Sequence, residues 1–189
     1  SEQLAETAAT FFEYKGANPG SRYGFRVRAI NKYTKGPLST PKGITIPLAA
    51  PKITGLTLKG TTITVTWNKV QGATNYQLSC SVDGRPATQV ADTAGTTFEY
   101  KGICPGSVYS FAVRAISKYT NGPYSPYKSI SGPLTAPEIT GLTLKDGTIT
   151  VTWTAVKGAT GYLLNYSMDG QPSEQLAETA ATFFEYKGA

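Results

Sequence analysis

Histidine is missing from all 189 residues, and only two cysteines and one methionine occur. These absences remove most of the usual equipment for metal binding, proton transfer near neutral pH and thiol redox cycling. An enzyme is therefore not expected, and no catalytic, metal or cofactor residue is assigned. The serines have no imidazole partner, and the carboxylates of Glu174, Glu178 and Glu185 do not recur as a cluster in the complete repeat described below. No stretch approaches the roughly 18 consecutive apolar residues of a transmembrane helix, and no Lys/Arg-led apolar leader opens the sequence. A soluble segment without membrane insertion is expected. Charge is also sparse, at 16% of residues: thirteen Lys and five Arg against twelve acids give +6. These charges are scattered singly, so they read as a solvated surface, and no nucleic-acid partner is expected.

What the sequence does contain is repetition. The 35 residues from Ala50 to Gly84 recur without a gap from Ala136 to Gly170, a shift of 86. A second identity joins the ends, because Ser1–Ala17 and Ser173–Ala189 agree at 17 of 17 positions, a shift of 172. Neighbouring repeats agree less well: residues 87–103 match 173–189 at 10 of 17 positions. Two domain types thus alternate, and the pair is the larger unit. On this register residues 1–49 are the back half of a second-type domain, 50–135 a complete first-type domain, and 136–189 the front half of the second type. A section of a longer polypeptide, a permuted chain and a protomer completed by its neighbour all fit that phase.

Within one period the signals are those of strands. Ile63, Val65 and Trp67 alternate with Thr62, Thr64 and Thr66, and Ile149, Val151 and Trp153 copy them. Tyr76, Leu78 and Cys80 continue the pattern, and Asp83-Gly84 offers the positive-φ pair of a tight hairpin, as Asp169-Gly170 does in the copy. The longest clean alternation is Tyr109, Phe111, Val113 and Ala115, matched by Tyr23, Phe25, Val27 and Ala29. No segment sustains a 3.6-residue apolar period. The expected class is all-β, with about seven short strands per 86 residues in two antiparallel sheets.

The order of Pro51, Trp67 on the second strand, Tyr76 on the third, then Pro105-Gly106-Ser107-Val108-Tyr109 and the run Phe111–Ile116 resembles the fibronectin type III domain. The resemblance covers the whole chain in register, and the Thr-rich, near-identical repeats look most like those of bacterial surface or secreted proteins. It implies tandem seven-stranded sandwiches, with Trp67 and Trp153 as core anchors. Tyr109 and Tyr23 stand at the family's corner-tyrosine position, where the hydroxyl satisfies nearby backbone. It also places Cys80 and Cys104 on neighbouring strands. Tyr166 and Asn18 replace both in the other domain type, so a disulfide is expected, and with it an oxidising compartment. The family often binds partners through the loop between its last two strands, which here carries Tyr33 in one domain and Tyr119, Asn121 and Tyr124 in the other. A tyrosine folded over its own loop is the commoner use of such residues.

Pro47-Leu48-Ala49-Ala50-Pro51 and Pro133-Leu134-Thr135-Ala136-Pro137 join the repeats with little freedom, so adjacent domains should form a stiff rod. The leading expectation is a structural stalk or fibre at the cell surface or outside the cell, continuing head-to-tail with itself by covalent extension or strand exchange. Two other readings remain open. One is adhesion to a cell-surface glycan or protein through the tyrosine loops; the other is accessory domains of a secreted glycan-degrading enzyme.

Overall fold

Every regular element among residues 5–187, the part of the chain that the computed structural model describes, is a β-strand. Two come first, β1 (Arg22–Phe25) and β2 (Lys42–Thr45), paired antiparallel. The next eight are β3 (Ile53–Lys59), β4 (Thr62–Trp67), β5 (Asn75–Val82), β6 (Thr88–Thr93), β7 (Thr97–Lys101), β8 (Val108–Ile116), β9 (Asn121–Tyr124) and β10 (Lys128–Ser131). The last five are β11 (Ile139–Lys145), β12 (Thr148–Trp153), β13 (Tyr162–Tyr166), β14 (Glu174–Thr179) and β15 (Phe183–Lys187).

Strands β3 to β10 form one sandwich. One sheet has the order β3-β4-β7; the other runs β10-β8-β5-β6, with β9 also paired to β8. Both β9 and β10 are pieces of a single last strand, interrupted where Ser125-Pro126-Tyr127 turns aside and proline can donate no ladder bond. The tight turn after β5 forms at Asp83-Gly84, with φ of 51° and 74° and a hydrogen bond from Arg85 N–H to the Val82 carbonyl of 3.0 Å.

The core lies between the sheets. Ile63, Val65 and Trp67 enter it from β4, Tyr76, Leu78 and Cys80 from β5, and Phe111, Val113 and Ala115 from β8. This is the phase that period-two alternation dictates. Trp67 meets Tyr76 edge-on at 5.8 Å between ring centroids, and the Tyr76 hydroxyl accepts the Val70 N–H at 2.8 Å. The corner hydroxyl of Tyr109 accepts the Cys104 N–H at 2.6 Å, and that of Tyr23 accepts Asn18 N–H at 2.9 Å. Near the other end Trp153 is also buried, against Tyr162 at 5.6 Å.

The terminal segments repeat this sequence without the same burial. Strands β11, β12 and β15 copy β3-β4-β7 in pairing and register, and β13–β14 copy β5–β6. Yet Ile53 is 5% exposed and its copy Ile139 is 59% exposed, because no equivalent of β8 and β10 lies over β11. At the front of the chain Val27 is 72% exposed where Val113 is fully buried. The alternation through Tyr23, Phe25, Val27 and Ala29 predicts a strand as long as β8, but β1 ends at Phe25. A strand needs an edge to pair with: β8 has β5 from Tyr109 to Ile116, while among the described residues β1 is paired to β2 alone.

The disulfide expected between Cys80 and Cys104 is not formed; both are free thiols. The turn before β8 buries Ile103 in the core, which turns the next residue, Cys104, to solvent, whereas the inward phase of β5 holds Cys80 inside. Burial pushes the Cys80 thiol up to about 11, against a smaller lowering by a backbone hydrogen bond at Ser110.

Two predictions follow from this packing. Trp67→Ala should cost about 3–5 kcal/mol in urea unfolding, as large aromatic core truncations do; a loss below about 1 kcal/mol would place the ring outside the core. Iodoacetamide at pH 8, without reductant, should modify Cys104 in the folded protein and Cys80 only after denaturation, since a buried thiol with a raised pKa presents little thiolate. Mass spectrometry that finds no modification even in the denatured, unreduced protein would restore the disulfide.

Candidate binding surface and interdomain junctions

Of the four residues proposed for partner binding, Tyr33 and Tyr119 lie in the loops after β1 and β8, while Asn121 and Tyr124 are the two ends of β9. Tyr33 and Tyr119 are exposed, and each carries a lysine over its ring, Lys32 at 5.6 Å and Lys118 at 5.5 Å from the centroid. Asn121 opens β9 opposite Ile116. Tyr124 is engaged elsewhere. Arg114 stacks on it at 4.9 Å, and the guanidinium donates through Nε and Nη2 to Gln77 Oε1 at 2.9 and 2.6 Å. Gln77 Nε2 in turn donates to Asp92 Oδ2 at 3.2 Å. A polar row thus crosses β9, β8, β5 and β6 on the outer face of the sheet, which is cross-strand pairing of the kind that stabilises sheets. The loops therefore leave Tyr33 and Tyr119 as their free aromatic surface, on opposite domains. Among the described residues no group of three His, Cys, Asp or Glu side chains could hold a metal ion.

A more constrained arrangement lies where successive repeats meet. The Pro19-Gly20 turn before β1 abuts the Gly72 turn between β4 and β5, and 86 residues later the Pro105-Gly106 turn before β8 abuts Gly158 between β12 and β13. Backbone touches backbone. A Cβ on Gly20 would lie 2.7 Å from the Gly72 carbonyl oxygen, and one on Gly158 would lie 2.6 Å from that of Gly106, while one on Gly106 would overlap the Lys157 carbonyl. All four glycines have φ between 66° and 81°, so glycine is required both by conformation and by approach.

Different side chains close the two junctions. At the first, Ser117 Oγ donates to the Gly20 carbonyl at 2.7 Å, and the linker residue Leu48 packs into the loop at Gly122. At the second, Lys157 Nζ donates to Asp83 Oδ2 and to the buried Ser107 Oγ, both at 2.7 Å. Asp83 also accepts the Val108 N–H at 2.8 Å. The Lys157 ammonium, followed by that backbone bond, holds the Asp83 carboxyl below its ordinary range. Gln71 stands where the first junction would need Lys157. In the sequence these glycines have only the signature of turns. The signal that marks them is joint: Pro-Gly and Gly-Ala-Thr both return at the 86-residue shift, one on each side of each boundary.

Comparison with known proteins agrees with this architecture. Residues 59–124 match the family described as PBP1-like, fibronectin3-like domain. Human neogenin is 28% identical over 177 residues, which is 82% of this chain and 12% of neogenin, and human fibronectin type-III domain-containing protein 3A is 31% identical over 131 residues, 64% of this chain and 11% of that protein. The chain thus spans about an eighth of the curated relatives it matches. Among solved structures, an Fn3-like protein from Clostridium thermocellum is 30% identical, covers 45% of this chain with 96% of its own, and has a TM-score of 0.38. Residues 59–124 are thus a fibronectin type III-like domain, and the chain as a whole is similar to proteins that carry fibronectin type III repeats.

Proposed function

We propose that this chain is a stiff structural segment of an extracellular or cell-surface protein, in which fibronectin type III repeats act as spacers of fixed relative orientation. The observation that carries the reading is the duplicated glycine-to-glycine contact: Gly20 on Gly72 and Gly106 on Gly158, in the same geometry one period apart. A tether of beads needs no such contact. Each junction also has a short linker bounded by prolines, which narrows the backbone freedom left to it. Leu48 adds an apolar plug at 3% exposure between the linker and the next domain. The similarity to neogenin extends over 177 residues, hence across both junctions, so what is shared includes the tandem arrangement and not one domain alone.

The test is a distance distribution across the second junction, from spin labels at positions 101 and 145 in a chain whose two native cysteines are replaced. The native junction should give one narrow distribution. Gly158→Ala forces a Cβ against the Gly106 backbone and should broaden it several-fold, with the unfolding midpoint of residues 50–135 unchanged. A broad native distribution would refute the spacer reading.

The Lys157–Asp83 contact adds a pH dependence. A carboxyl whose pKa is depressed on folding contributes its share above the unfolded value, ~3.9, and loses it as pH falls through the folded value. The second junction should therefore keep its distribution from neutral pH to below the ordinary aspartate range and broaden only beyond that. Labels placed across the first junction, which has Gln71 in place of the lysine, should show no such transition. Equal broadening at both would separate the effect from Asp83.

A further inference from the structure

The outer face of the β10-β8-β5-β6 sheet carries a groove at the end of the strands away from Tyr124. Outward pairs follow one another along β5 and β8: Gln77 with Arg114, Ser79 with Ala112, then Ser81 with Ser110. The first pair belongs to the polar row described above. The last is prolonged onto β10, where Ser129 stands opposite Ser110 and the two hydroxyl oxygens are 2.8 Å apart. Ser81, Arg85, Ala87, Ser110 and Tyr127 line the groove, whose volume is about 270 Å³.

Backbone hydrogen bonds hold the two largest of these residues in place. Arg85 leaves the Asp83-Gly84 turn with its N–H on the Val82 carbonyl, and its own carbonyl accepts the Ser81 hydroxyl at 2.6 Å. Asp83, the acid of that turn, is taken by Lys157, and neither ion pair among the described residues includes Arg85. The guanidinium is thus a cation without a carboxylate, beside a row of hydroxyls. Tyr127 follows the interruption between β9 and β10, which Ser125 anchors: its N–H donates to the Val113 carbonyl at 2.8 Å and its Oγ accepts the Val113 N–H at 3.1 Å. The Tyr127 ring is 56% exposed.

The other domain type keeps this frame and lacks these groups. Ser39 bonds Val27 at the same two distances, 2.8 and 3.1 Å, yet the residue that stands in place of Tyr127 is Pro41. Gly24 and Gly43 pair where Ser110 and Ser129 do, and Gln171 replaces Arg85. Cation, ring and hydroxyl pair are therefore present together in one domain type and absent together from the other. Unlike the two cysteines, which share a domain type without meeting, these groups line one groove.

We propose that this groove binds an acidic sugar: a hexuronate unit of a glycan, with its carboxylate on the Arg85 guanidinium, its ring against Tyr127 and its hydroxyls bonded to Ser110 and Ser129. A guanidinium holds a carboxylate through two parallel N–H bonds. A tyrosine offers an apolar ring face with a polar tip, and serine hydroxyls donate and accept as sugar hydroxyls do. The volume lies below the ~300 Å³ at which pockets for drug-sized ligands begin, which suits one sugar ring at a time. The surface is the sheet face and not the Tyr33 and Tyr119 loops, and the proposal does not rest on the spacer reading.

Titration of the ¹⁵N-labelled chain with trigalacturonate at pH 7 should shift the amide signals of residues 81, 85, 87, 110, 127 and 129, with a dissociation constant on the order of 1 mM. The neutral trisaccharide maltotriose should bind about fivefold more weakly. Arg85→Gln, which installs the side chain of the other domain type, should abolish that preference. Tyr127→Ala should lose both sugars, and Tyr119→Ala should change nothing. Arg85 and Tyr127 are exposed, so amide signals away from the groove should stay in place in both variants and report an intact fold. Groove signals that do not move, equal affinity of the unaltered chain for maltotriose, triglutamate bound as tightly as trigalacturonate, or binding lost in Tyr119→Ala but kept in the groove variants would each overturn the proposal.

Discussion

A β-sheet with one apolar face keeps the side chains of that face buried only while a second layer covers it. The duplicated sequence shows this directly, because the same seven residues, Ile-Thr-Gly-Leu-Thr-Leu-Lys, form both β3 and β11 with the same pairing. One copy places its first isoleucine in a core, and the other leaves it in solvent. Local sequence therefore specifies strand, partner and register, while burial depends on β8 and β10 arriving from about 60 to 80 residues further along the chain. Contacts of that sequence separation carry the loop-closure cost of the fold, and they supply the hydrophobic return on it. Phe111 and Val113, fully buried on β8, are where that return is concentrated.

The junctions obey a different constraint. Among the described residues the buried apolar contribution at the first joint is the single linker side chain Leu48, so close backbone approach carries the orientation, and only glycine allows carbonyl and Cα to meet as Gly106 and Gly158 do. Once the backbones are that close, a few side-chain bonds suffice to select one arrangement. Ser117 donating to Gly20, and Lys157 spanning Asp83 and Ser107, are bonds of this kind. Partly exposed ion pairs contribute little to stability, but they can still select one arrangement of backbones already in contact.

Much of this was legible in the sequence. The alternation of Ile63, Val65 and Trp67 was enough for class and strand phase, the order of Pro51, Trp67, Tyr76 and Pro105-Gly106-Ser107-Val108-Tyr109 carried the family resemblance, and Asp83-Gly84 located a hairpin turn. The cysteines misled because co-occurrence in one domain type was read as pairing, whereas the deciding feature was the neighbouring Ile103, whose burial turns Cys104 away. Strand β1 was overestimated for a related reason: alternation reports what a segment can do when paired, and the pairing partner lies outside the pattern. The junction glycines were visible but unweighted, since a turn and a domain contact have the same signature until both sides of the contact are seen.

The alternation of domain types then acquires a physical meaning at the joints. Gln71 and Lys157 occupy equivalent positions one period apart, and of the two Lys157 bonds the serine across its joint, Ser107. Asp83, which the lysine engages, has an equivalent in the other domain type, Asp169, so the acid recurs at every period while the cation does not. Divergence has thus altered one side of a contact and preserved the other. The glycines on both sides are unchanged, which keeps the close approach common to both joints and confines the difference to the ionic bond. The positive φ of each turn already favours glycine, and a Cβ at Gly20 or Gly158 would in addition meet backbone across the joint, so two separate constraints hold each position to glycine. The four glycines and the varied polar partner thus separate two contributions to the joint, close backbone approach common to both and an ionic bond at one alone.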